Sequence, residues 1–251
     1  MYKYFLLERR KFKGSFLFWF FTFAFIATLG FLSLNMLSGK FSQGGGENPM
    51  AWLQILDQYF FTRLILYPIL IAAVIGQAVS IENDNNMWKV LYSSGLDFKK
   101  IYRVKFFNIY LKFFLFQCLE WIAFILYAKA VGVTAAIPIG RFVLYFSTQL
   151  SITFALLSIH YLLSLKWSNQ LISTSISIIG SLLGIIFVFL PKEISFINPY
   201  TWYGTLMSIR YIPKNGEWLQ SVWPLNYTSI FLGLVLGLSV FLFGAKIKGE
   251  E

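Results

Sequence analysis

Inside the apolar stretches of this 251-residue chain stand a few side chains able to carry charge or a proton: Arg63, Lys112, Glu120 and the single histidine, His160, with Gln77 and Gln149 as neutral polar neighbours. Such groups are expensive in hydrocarbon, so each marks either a site or a pairing with another helix. Glu120 follows Lys112 by eight residues, about 80° around a helix and roughly 12 Å along it, so the two do not pair directly. Glu120 is therefore protonated, paired with another helix, or wetted. It lies toward the outer face and His160 toward the inner one, which argues against an intramembrane acid–base couple. Arg63, near the outer end of its span, reads as snorkelling outward. His160 reads as interfacial or hydrogen-bonded. Cys118 is the sole cysteine, so there is no disulfide framework and no cysteine-rich metal site. The chain holds no G-x-x-x-x-G-K-[ST] phosphate loop, no H-E-x-x-H and no G-x-S-x-G. An enzyme reading has little to stand on, and no cofactor is expected in this chain.

The one long polar passage between two apolar spans, residues 82–105, carries a compact helical pattern. Met87, Val90 and Leu91 fall at i, i+3 and i+4 and share a face, with Trp88 and Tyr92 flanking it. Residues 84–86 offer N-caps, and Gly95 stands where a helix ends in a left-handed residue. Asp97 then caps a second helix, with Leu96 packing on Ile101 as a staple, and this helix enters the membrane at Phe106. A short helix exposed at the membrane face is either gripped by another protein or rests on the headgroups.

The elements that position these residues follow from composition. The chain is 57% hydrophobic and 20% aromatic. Only 13% is charged, against roughly 25% in soluble domains. It reads as one all-α integral membrane domain, 1–251, with six spans at about 15–36, 60–81, 106–127, 142–163, 170–190 and 227–243. Of its 21 Lys and Arg, thirteen fall in the segments assigned inside and six in those outside. That bias places both termini in the cytoplasm and accounts for the net charge of +10 without nucleic acid. The first apolar run lacks a small-residue cleavage site and reads as an uncleaved span.

Residues 1–14, with Tyr2, Phe5, Leu6 and Phe12 on one face, suit either a short helix in the inner interface or a plain basic anchor. Trp52, Ile55, Leu56 and Tyr59 read as an outer interfacial helix preceding the second span. The fifth span carries Ser173, Ser175, Ser177, Gly180, Ser181 and Gly184, small residues that let helices approach closely. The outer segment 191–226 is long and rich in Trp and Tyr. It suits an interface belt, or short helices that enter the outer leaflet and return, buried against protein.

With Glu8-x-x-Lys11-x-Lys13-x-Ser15 before the first span, and Glu82, Met87-Trp88-Lys89-x-Leu91 and Ile101-Tyr102-Arg103-x-Lys105 after the second, the chain resembles the membrane subunit of a type-2 ATP-binding-cassette exporter. It is most similar to those of lantibiotic or bacteriocin immunity. The resemblance covers the whole chain in length and span order. It implies that the helix holding Asn86, Met87, Trp88, Lys89, Val90 and Leu91 is a coupling helix seated in a separate ATPase subunit, which binds the ATP and Mg. Met87, Val90 and Leu91 would form the apolar seat, Trp88 the rim, and Lys89 would meet acidic residues of the partner. Glu8, Glu82 and Arg103 would stand at the elbow and inner mouth. The resemblance also implies an N-terminal elbow helix, a second permease copy, identical or not, re-entrant outer helices in 191–226, and a bacterial cytoplasmic membrane. Gln77, Glu120 and Gln149 are pathway candidates, though each could equally bond a neighbouring helix. Two other readings stay open: a secondary transporter or channel, which needs charged or broken spans near the midplane, and a non-transporting membrane scaffold or sensor.

Overall fold

The structure, a computed structural model, describes residues 17–37, 50–83, 97–167, 169–214 and 217–247. Six helices occupy the places of the six expected spans: α1 (Leu17–Leu37), α2 (Met50–Asn83), α3 (Phe98–Ala130), α4 (Ile139–Lys166), α5 (Gln170–Val188) and α6 (Thr228–Ile247). Among the described residues, α2 to α6 are long and apolar enough to cross a membrane; the described apolar part of α1, Leu17–Ser33, is shorter. The chain is a multi-pass membrane protein.

The 34 residues of α2 and 33 of α3 give helices about 50 Å long, against a hydrocarbon core of about 30 Å. Both must project beyond it. The projection of α2 corrects the first expectation. Trp52, Ile55, Leu56 and Tyr59 do not form a separate interfacial helix; they continue unbroken into the second span and are all buried. The run is unbroken because its buried face is mostly apolar and no breaker intervenes before Pro68, which α2 passes through. Trp52 shows what the projection packs on, donating its indole N–H to the Ala135 carbonyl of the outer α3–α4 turn at 2.9 Å. At the other end of the bundle α3 starts where expected. Asp97 accepts the Lys99 amide at 2.9 Å and caps the helix. Gly132, at φ +96°, reverses the chain after α3.

α2 and α4 are buried along most of their length and form the centre; α5 and α6 expose most of theirs. Apolar burial between helices is worth little when the alternative is lipid, so close packing and hydrogen bonds decide which helices meet. The buried face of α5 is made of Ser173, Ser177, Gly180, Ser181 and Gly184. This small-residue stripe lies against α2 and the segment that follows α5. A Cβ on Gly180 would stand 2.7 Å from the Tyr200 ring, and one on Gly184 3.2 Å from the Tyr200 carbonyl oxygen. α6 meets α4 in the same manner: a Cβ on Gly237 would be 3.2 Å from the Ala155 Cα, and Ser151 donates to the Ile230 carbonyl at 2.7 Å.

Between α5 and α6 this otherwise helical chain departs most from expectation. In place of re-entrant outer helices, it forms one four-residue turn of helix (Lys192–Ser195), two 3₁₀ turns (Pro199–Thr201 and Gly204–Leu206) and an antiparallel hairpin of β1 (Ile209–Lys214) and β2 (Glu217–Val222). The first 3₁₀ turn packs on α5 and α4 and the second on α2 and α5, which buries Tyr200, Trp202, Tyr203 and Leu206. The hairpin runs Ile209↔Val222 to Lys214↔Glu217. Strand-forming residues alternate on either side of Asn215-Gly216, the pair favoured in two-residue hairpin turns.

Candidate functional site

Charged and polar side chains converge where α2, α3 and α4 meet the second 3₁₀ turn. Arg63 on α2 is fully buried and ion-paired to Glu120 on α3. Tyr67, one turn further along α2, donates its hydroxyl to the same carboxylate oxygen. The guanidinium carbon lies 4.2 Å from the centre of the Tyr59 ring and 3.9 Å from that of Tyr67. Tyr59, Arg63 and Tyr67 fall at i, i+4 and i+8 on one row of the helix, so both rings flank the cation. A desolvated cation over an aromatic face is worth about 2 kcal/mol or more.

Arg63 therefore does not snorkel outward, as its sequence position suggested. It turns inward because its counterion and two aromatic faces lie there, while α2 runs a further 13 residues beyond it toward the outside. Of the three states open to Glu120, the structure shows pairing with another helix. The local hint in the sequence is the Tyr59-x-x-x-Arg63-x-x-x-Tyr67 row.

A second set of hydrogen bonds closes the cluster. Gln117 on α3 donates to the Thr153 hydroxyl on α4 at 2.6 Å. Thr153 donates back to the Gln149 carbonyl at 2.8 Å. The Tyr203 hydroxyl, 2.8 Å from Thr153, must then be a donor to it, since a hydroxyl has one proton. The Tyr203 ring sits 5.7 Å from that of Tyr67, which joins the two halves. Gln149 accepts the Trp121 indole N–H at 2.8 Å. Two of the three pathway candidates, Glu120 and Gln149, thus belong to one buried network. Gln77 does not; it is half-buried on α2, four turns away toward the inner end.

His160 stands apart in a smaller cluster. It is buried, with Nδ1 2.9 Å from the Ser173 hydroxyl on α5 and Nε2 3.2 Å from the Tyr200 hydroxyl. Burial pushes the Tyr200 phenol up to about 12, so it remains neutral. His160 is a hydrogen-bonded helix tie.

At the opposite end of these helices, α2 closes at Asn83 and α3 opens after Asp97, so both long helices meet the intervening passage at the same end of the bundle. Lys105 on α3 is buried and donates to the Ala78 carbonyl of α2 at 2.8 Å. Arg103 is exposed on α3. Glu82 lies in the last turn of α2. Asn86, Met87, Trp88, Lys89, Val90, Leu91 and Glu8 lie outside the described residues.

At the end of the bundle opposite residues 84–96, the structure adds a cluster that the sequence did not single out. Asp57 on α2 accepts the backbone N–H groups of Ser208 and Ile209, the latter at 2.9 Å. Arg141 on α4 donates to the Tyr145 hydroxyl at 2.7 Å and to the Trp223 carbonyl at 3.1 Å. Trp223 in turn donates its amide to the Ser208 carbonyl at 2.7 Å, and Tyr145 bonds the Ser208 hydroxyl. Both ends of the hairpin are thereby clamped to α2 and α4. No cluster of His, Cys, Asp or Glu fit for a metal occurs among the described residues.

Compared with known proteins, residues 4–184 match the family model described as ABC-2 family transporter protein, close to three quarters of the chain. The match ends within α5 and leaves out the 3₁₀ turns, the hairpin and α6. No curated protein and no solved structure matches.

Proposed function

The chain belongs to the ABC-2 transporter family, and from that premise we propose that it is the six-span permease subunit of an ATP-driven exporter, working with a second permease copy and powered by a separate ATPase subunit. Membership of this family implies the ATPase partner and a membrane subunit without its own nucleotide site. The single observation that favours a mechanical coupling is that α2 ends and α3 begins on either side of residues 84–96. They join the inner ends of the two longest helices, α2 and α3, whose other ends reach the outer face.

A displacement applied to 84–96 is carried by two continuous helices through the whole bundle. Residues 86–91, with Met87, Val90 and Leu91 as the apolar seat, are the proposed ATPase contact. Glu8, Glu82 and Arg103 flank it at the inner mouth. The cargo proposed is a peptide or amphiphile of lantibiotic or bacteriocin type, taken out of the cell or its bilayer. The family match and the overall resemblance support a transporter. A bacterial cytoplasmic membrane with both termini inside completes the proposal.

Replacing Met87 and Leu91 together by Asp is the test. The variant is expected to insert and to lose co-purification with the ATPase encoded beside it, because two carboxylates would be forced into an apolar groove. Undiminished co-purification of that double variant would remove the assignment of 86–91.

A further inference from the structure

Two charged groups tie α2 to α3, and they sit at matching positions. Near the inner end, Lys105 of α3 donates to the Ala78 carbonyl of α2 at 2.8 Å. Further out, Arg63 of α2 is paired with Glu120 of α3. Ala78 follows Arg63 by fifteen residues, and Glu120 follows Lys105 by the same fifteen. The helices are antiparallel, so each tie is one rung, and the rungs are about 22 Å apart along both helices. All three charged side chains are buried, with exposures of 0% for Arg63, 1% for Lys105 and 3% for Glu120.

The rest of the α2–α3 contact is of another kind. Aromatic rings fill it: Tyr67 lies against Phe113 and Phe116, and Tyr59 against Trp121 and Phe124. These pairs are edge-to-face, tilted and stacked, a mixture with no single geometry, and each is worth only about 0.5–1.5 kcal/mol. They fill the gap without setting the register. A buried, directional bond from a charged group sets register because sliding by one residue breaks it in a dry interior. One rung would leave a pivot. Two prevent both sliding and scissoring.

We infer that the Lys105–Ala78 and Arg63–Glu120 rungs make α2 and α3 a single stiff lever, so that Lys105, Arg63 and Glu120 are positioning residues for transmitting movement across the membrane. This rests on the reading of 84–96 as the ATPase contact. The outer rung is also where the lever meets the outer segment. Tyr67 bonds Glu120 and touches the Tyr203 ring, and Tyr203 is held by Thr153, to which Gln117 of α3 also bonds. Movement of the lever therefore reaches the second 3₁₀ turn and, a few residues on, the root of the hairpin.

The test places spin labels at Ile81→Cys on α2 and Lys100→Cys on α3 in a Cys118→Ser background, with the full chain in lipid nanodiscs. For the chain alone, one narrow distance distribution is expected, and Lys105→Met is expected to broaden it; a distribution equally narrow in that variant overturns the inner rung. With the ATPase bound, the nucleotide-free and vanadate-trapped states are expected to give the same distance within about 2 Å, as a rigid-body movement requires. A change of more than about 5 Å between those states overturns the lever. Glu120→Gln is expected to make the distance depend on nucleotide state; one unchanged distance in both states overturns the outer rung. Absence of any ATPase complex with the parent chain would instead count against the proposed function, and the measurement on the chain alone still decides the lever.

Discussion

Glu120→Ala is expected to cost roughly 3–5 kcal/mol of stability, the largest loss from any single truncation described here. The change leaves the Arg63 guanidinium buried between α2, α3 and α4 with no counterion, and it strips Tyr67 of its acceptor. The two tyrosine rings would still flank the cation, but they replace only about 2 kcal/mol of what the carboxylate supplies. Removing both partners is expected to be milder. Arg63→Met together with Glu120→Met puts similar volume in the same place with no charge to desolvate, and such swaps are often neutral. Thermal unfolding of the purified protein in nanodiscs checks both. The single variant should unfold well below the parent and the double variant between them; a single variant as stable as the parent would mean that the pair carries no stability.

Asp57→Ala is the second. Asp57 accepts two backbone N–H groups at the point where the chain leaves the second 3₁₀ turn for β1. Hydrogen bonds to a charged acceptor contribute about 1.5–3 kcal/mol each, so losing both should cost about 3 kcal/mol of local stability at the hairpin root. At 1.4 kcal/mol for each factor of ten, amide exchange at Ser208 and Ile209 should accelerate on the order of a hundredfold. Asp57→Asn retains one acceptor oxygen and should lie between. The Arg141 clamp on Trp223 remains in both variants, so the effect should stay at the β1 end. Exchange unchanged at Ser208 would show that another group holds the root.

How far the fold could be read ahead depended on which physical signal each segment carried. Six helices stand where apolar runs were counted, because length and hydropathy are local properties. Asp97 capping α3 and the small-residue stripe of α5 were legible for the same reason: one depends on a residue next to the helix start, the other on spacing along a single helix. The N-terminal reach of α2 was not, since Trp52 and Tyr59 look interfacial until their partners are known to be Ala135, Trp121 and Phe124.

Arg63 shows the same limit at the candidate site. Snorkelling and inward pairing differ only in whether a carboxylate 57 residues away faces it, and single-helix reasoning does not contain that fact. The flanking Tyr59 and Tyr67 were the local hint. Asp57 gave none: one carboxylate at a helix's outer end is ordinary until Ser208 and Ile209 are brought to it across 151 and 152 residues. The hairpin was hidden by its own composition, because its aromatic and apolar residues suit an interfacial helix as well as a strand. Asn215-Gly216 was the local sign that favoured the strand.

The measurement closest to the central claim is purification of the full chain, tagged at its C-terminus, from its own host's membranes under mild detergent, followed by identification of whatever remains bound and assay of ATP hydrolysis in the eluate. An ABC-type ATPase in fixed ratio to the chain, with hydrolysis that disappears when Met87 and Leu91 become Asp, is the result predicted. A chain that elutes with no ATPase, and that still moves solute in reconstituted vesicles without ATP, would contradict it.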